Sequence, residues 1–250
     1  MELYSMIGSL IACFVIPLII WLVIFVKGKG ERGGIFVLFL LGALFYAGMQ
    51  WGVKQHGLAY LFEKANLYSF MINHYISYLL LVALCGAILA IIPEIITVLG
   101  IFRRKITFKQ ALSMGLGYTI CETGFLLVYP FVATLIPVLK NEATKLSTSS
   151  SEMVLSGFER LLLTVIGTGL IVMFIYDVEQ KSTIKGSIAK VICQTLAAFI
   201  PGFLIAFSTE DFLEVFDRST TLIMSYVILS AAAFACFILI DSLKWKMYEK

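Results

Sequence analysis

The sequence predicts an all-α, polytopic integral membrane protein of about seven transmembrane helices, and three observations carry that expectation. The 250 residues are 60% apolar and only 14% charged, with a mean hydropathy of +0.96, whereas soluble chains carry about 25% charged residues. The apolar residues fall in continuous runs that exceed the ~18 to 20 needed to cross a bilayer. The runs do not alternate apolar and polar residues in segments of about 10, as the strands of a membrane β-barrel would.

Each helix follows from one run. The spans lie at about 5–26, 34–53, 74–101, 108–138, 154–176, 186–207 and 221–241, and at 1.5 Å per residue each is long enough for a ~30 Å hydrocarbon core. The chain opens Met1-Glu2 with no basic stretch ahead of a full-length first run, which argues against a cleaved signal peptide.

The connections set the expected topology. Lys27, Lys29 and Arg32 follow the first span, Arg103, Arg104, Lys105 and Lys109 the third, Lys181, Lys185 and Lys190 the fifth, and Lys244, Lys246 and Lys250 the last. The other connections hold only Lys54, Lys64, Lys140, Lys145 and Arg218. Thirteen cations against five place the N-terminus outside and the C-terminus in the cytoplasm, by the excess of Lys and Arg in cytoplasmic loops. With no basic patch, nucleic acid is not expected as a partner.

A single domain, residues 1–250, accounts for the whole chain. Asn141 to Glu152, with its run Ser147 to Ser151, reads as a flexible external loop. Ser208 to Phe216 reads as a short helix on the outer face, a capping residue leading acids and spaced apolar residues. His56 to Phe70 is a candidate for another. Trp245 and Tyr248 beside Lys244 and Lys246 suit an interfacial anchor.

Small residues mark close helix contacts: Ser113, Gly117 and Cys121 at four-residue steps in the fourth span, and Gly167 and Gly169 in the fifth. The five cysteines, Cys13, Cys85, Cys121, Cys193 and Cys236, are distributed among the apolar runs with no metal-ligand spacing. They read as small buried apolar residues; no metal and no cofactor is expected.

Ionisable side chains inside the spans are the functional candidates, since a charge at the bilayer centre costs roughly 2.5 to 3.5 kcal/mol even on lenient scales. Glu94 follows Pro93 in the third span, Glu122 lies midway in the fourth, and Glu159 and Arg160 stand about a turn and a half into the fifth. Gln50 and Gln194 are neutral but need hydrogen bonds. Glu159 and Arg160, adjacent and about 100° apart, make poor mutual partners, so Arg160 is expected to pair with Glu122. Tyr118 stacks one turn from Glu122, and Arg160, Thr164 and Gly167 share a helix face. A buried polar network that fixes helix register competes evenly with a functional cavity.

The order of these residues resembles the YhfC-type intramembrane peptidases, relatives of the glutamic-type CAAX-protease and bacteriocin-processing superfamily, over most of the chain. Gly42-Ala43-Leu44-Phe45 is similar to that family's early Gly and Phe pattern. Pro93-Glu94-Ile95-Ile96-Thr97 stands where the family has EExxR, retaining the second Glu. Gly115-Leu116-Gly117-Tyr118-Thr119-Ile120-Cys121-Glu122 corresponds to GxGHGxxE, with Tyr118 in the His position. Glu159-Arg160 is followed by Gly167 where the resemblance calls for a His, and Gln194 stands in place of a last His.

Glutamic-type proteolysis, as the resemblance implies it, needs a carboxylate to activate water and imidazoles or other donors to hold the oxyanion. Glu94, Glu122 and Glu159 remain as catalytic candidates, and the expected histidines are absent. The preferred reading is therefore a catalytically degenerate relative in a bacterial plasma membrane, a binding or partner subunit. Arg160, Tyr118, Thr97, Gln194 and Thr164 would then build a cavity for a membrane lipid, a hydrophobic peptide or a second membrane protein. The alternatives are an active intramembrane glutamic protease using Tyr118 and Gln194 as donors, and a permease subunit of a peptide or lipid exporter docking a separate ATPase on Phe102 to Lys109.

Overall fold

The computed structural model describes residues 2–57, 60, 67–102, 105–140, 150–207 and 218–248. Among them every regular element is helical, and seven helices are long and apolar enough to cross a membrane. These are α1 (Leu3–Lys27), α2 (Arg32–Met49), α3 (Tyr75–Ile101), α4 (Phe108–Ile136), α5 (Ser150–Glu179), α6 (Thr183–Ile200) and α7 (Thr220–Met247). The chain is an integral membrane protein. The helix containing α6 runs on to Phe207, where the sequence places its end.

Helix α5 is the axis of the bundle and the most buried of the seven. It packs on α1, α4, α6 and α7; α2 packs on α4, and α3 on α6. Small residues permit most of these approaches, because without a hydrophobic drive between helices in lipid the backbones must come close to gain contact. A Cβ on Gly42 would lie 2.1 Å from the Met114 carbonyl oxygen, and one on Gly117 2.1 Å from that of Phe39. Gly115 and Gly167 meet Thr168 and Thr119 across α4 and α5, Gly157 meets Ser9, and Gly169 meets Cys236.

Polar side chains seal these seams. Trp21 Nε1 donates to Ser113 Oγ at 2.9 Å, and Ser113 Oγ donates to the Ile35 carbonyl at 2.7 Å, tying α1, α4 and α2 together. Ser9 Oγ donates to the Met153 carbonyl at 2.7 Å and joins α1 to α5. Beyond the helix ends, the Thr107 hydroxyl donates to Glu31 Oε2 at 2.6 Å, and Lys181, at φ 62, turns the chain tightly between α5 and α6.

The structure departs from the sequence reading in several places. Four π-helical segments interrupt the spans: Ile11–Val15, Tyr46–His56, Ile96–Ile101 and Gly124–Val128. Such bulges shift all later side chains around the helix and frequently stand at functional positions. Glu94 and Glu122 each lie two residues ahead of one. Lys190, counted among the connections, is instead buried within the bundle, at 2% exposure, which leaves twelve cations against five. Helix α5 begins at Ser150, ahead of the expected start at 154, and carries Glu159 and Arg160 about 15 Å along its axis. Cys193 is exposed on its helix and only Cys13 is fully buried.

Residues 141–149 of the loop, all of the helix expected at Ser208 to Phe216, and Arg103 and Arg104 lie outside the described residues. Of His56 to Phe70, a short helix, Leu67–Asn73, is described at the C-terminal end. At the last helix end Lys244 Nζ sits 5.8 Å from the centroid of the Trp245 ring.

Candidate functional site

Four helices enclose one cavity of about 280 Å³, and each of the intramembrane charges singled out in the sequence reaches it. Helix α3 contributes Glu94, α4 contributes Tyr118, Glu122 and Leu126, α5 contributes Glu159 and Arg160 above an apolar wall, and α6 contributes Lys190 and Gln194.

Two ionic groups occupy it. Deep in the bundle Lys190 Nζ donates to Glu94 Oε2, with the two residues 2% and 1% exposed. The Phe174 ring lies 5.5 Å from Lys190 Nζ and adds its π face to the cation's surroundings. Helix α3 carries Glu94 between Pro93, inside the helix, and the π segment that begins at Ile96, and Thr97 Oγ1 donates to the Pro93 carbonyl at 2.9 Å. A buried pair of this kind is sustained only while both partners are present, because either charge left alone in a low-dielectric interior is strongly unfavourable.

The second group is looser. Arg160 Nη1 lies 3.5 Å from Glu122 Oε1, and Arg160 Nη2 lies 3.9 Å from Glu159 Oε1, with side-chain exposures of 21%, 27% and 33% respectively. The expected Arg160–Glu122 pair is present. The adjacent Glu159 also approaches the same guanidinium, because the long Arg side chain can swing across the 100° between neighbours.

Tyr118 and Gln194 complete the polar lining, and the Gln194 side chain is within hydrogen-bonding reach of Tyr118. Tyr46 packs edge-on to Tyr118 with ring centroids 5.3 Å apart and holds it from behind. Glu94 Oε1 and Gln194 Oε1 are buried without a hydrogen-bond partner among the described residues.

Thr97 and Thr164 do not reach the cavity lining. Each hydroxyl donates to its own helix, Thr97 to Pro93 and Thr164 to the Arg160 carbonyl at 2.8 Å. His56 and His74 are exposed at other segments, and no imidazole lines the cavity. Among the described residues no group of three or more His, Cys, Asp or Glu side chains is placed to hold a metal ion.

The functional candidate that sequence reasoning missed is Lys190. The available signal was charge bookkeeping: Glu94 had no assigned cation, and Lys190 stands several residues inside the sixth apolar run. The cavity's rim was also illegible. Leu126, 45% exposed, and Ala198, also exposed, both line the cavity, and α4 and α6 do not pack on each other. The cavity therefore reaches the protein surface between these two helices.

Comparison of the chain with protein-family models, with curated proteins and with solved structures finds no match.

Proposed function

We propose that this protein is a membrane-embedded binding subunit that draws the polar end of a lipid or hydrophobic peptide out of the bilayer and into its charged cavity. The observation that carries the reading is convergence: five ionisable side chains from four helices, each costly in hydrocarbon, meet around one hollow that opens sideways between α4 and α6. A network serving register alone would be expected to close on itself, as the Trp21–Ser113–Ile35 chain does.

The arrangement resembles a glutamic protease from which the water-activating chemistry has been lost. Glu122 is held by Arg160, Glu94 by Lys190, and the cavity offers Tyr118 and Gln194 where the family resemblance calls for imidazoles. Loss of one oxyanion donor typically costs about 10² to 10³ in rate. Twelve cations against five support a cytoplasmic C-terminus, and the reading places the protein in a bacterial plasma membrane.

The purified chain in lipid nanodiscs should bind membrane-embedded or prenylated peptides, or lipid, and return peptides uncut. Peptide cleavage that disappears in Glu122→Gln would overturn the reading in favour of an active protease.

A further inference from the structure

The cavity's charge balance and its unpartnered atoms specify the ligand more narrowly, given the binding role proposed above. We infer that the polar group it accepts is an ammonium, the amine end of an amphiphile. Three carboxylates face two cations. Both cations are engaged: Lys190 by Glu94, and Arg160 by Glu122 and Glu159. The two buried side-chain atoms of the lining that lack partners among the described residues, Glu94 Oε1 and Gln194 Oε1, are both acceptors.

A buried acceptor without a donor is costly, and a carboxylate oxygen more so than an amide. A phosphate or carboxylate would add charge of the sign already in excess and would leave both oxygens unsatisfied. A protonated amine has three N–H donors and no acceptor. It fits the space, balances the surplus carboxylate and brings donors to the wall that contains Glu94 and Gln194. Access fits as well, since Leu126 and Ala198 on the rim let an apolar tail remain in lipid while the head enters.

The test uses the full chain in phosphatidylcholine nanodiscs, labelled by a photoactivatable dodecylamine. Dodecylamine should compete at least about tenfold better than dodecanol or dodecanoate, as a charge-assisted hydrogen bond requires. The preference should fall in Gln194→Leu and in the charge-neutral double variant Glu94→Gln with Lys190→Met, which removes the carboxylate without stranding the lysine. Two further arms separate the sources of the amine: phosphatidylethanolamine against its N-acetyl form, and a hydrophobic peptide with a free against an acetylated N-terminus. Loss of competition on acetylation in either arm supports the inference and names the source. Equal competition by dodecanoate or dodecanol overturns the ammonium assignment, as does an undiminished preference in both variants. If amphiphiles label the cavity walls without preference, the binding role survives and the ammonium assignment fails. If no amphiphile or peptide labels the cavity, both fail.

Discussion

Lys190 and Glu94 stand 96 positions apart in the chain and form an ion pair almost wholly removed from the surface, at 2% and 1% exposure. The pair joins α3 to α6 and lines the cavity.

Because each partner neutralises the other, the single variants Glu94→Gln and Lys190→Met should each destabilise the protein by roughly 3 to 5 kcal/mol, the cost of an uncompensated buried charge. The double variant should recover most of that loss. Denaturation of the four proteins in mild detergent gives the comparison; additive losses would show that the two charges do not depend on each other.

Arg160 and Glu122 behave differently, because their side chains keep about a quarter of their exposure and stand 3.5 Å apart. Replacing Glu122 by Gln should cost under about 1 kcal/mol, the range of partly solvated pairs. Ligand capture is expected to fall by more than stability does. A stability loss as large as that of Glu94→Gln would mark Glu122 as structural.

Gly42 and Gly117 let α2 and α4 touch backbone to backbone. Gly42→Leu or Gly117→Leu forces the helices apart, since even a Cβ would stand 2.1 Å from a carbonyl oxygen, and overpacking of this kind costs about 1 to 3 kcal/mol or more. Gly8 and Gly48, with nothing within 4 Å of an added Cβ, serve as controls. Thermal unfolding in detergent should separate the two sets.

The sideways opening has its own test. Bimane attached at Leu126→Cys or Ala198→Cys, in a background lacking the native cysteines, should be quenched strongly by spin-labelled lipid and weakly by aqueous iodide. The same probe at Thr168→Cys, 3% exposed between α4 and α5, should respond to neither. Quenching by iodide alone at the two rim positions would place the opening toward water instead.

Much of the architecture is legible in one dimension because bilayer insertion is decided locally. A run of about 20 apolar residues crosses whatever else the chain contains, so the seven spans, and Glu94, Glu122, Glu159 and Arg160 as the charges to explain, follow from hydropathy. The Arg160–Glu122 pair was also legible, since Glu122 was the acid left midway along a neighbouring run. Lys190 was not, because its position near the start of the sixth run gives it the look of an anchoring cation. Thr97 and Thr164 were misplaced for another reason. A shared helical face, used for Thr164, or a motif position, used for Thr97, does not say where a hydroxyl goes, and inside a membrane it turns back to its own helix's carbonyl when no better acceptor is near.

The class of protein, the number of its helices and the need for internal partners to its charges were determined by the sequence alone, through the energy of placing each residue type in hydrocarbon. Which helices touch, that Glu94 meets Lys190, and that the charges surround a hollow opening between α4 and α6 were decided only in three dimensions. Those outcomes depend on the rotation of each helix, reset at every π segment, and on which glycine seam closes against which. Hydropathy along a chain carries neither quantity.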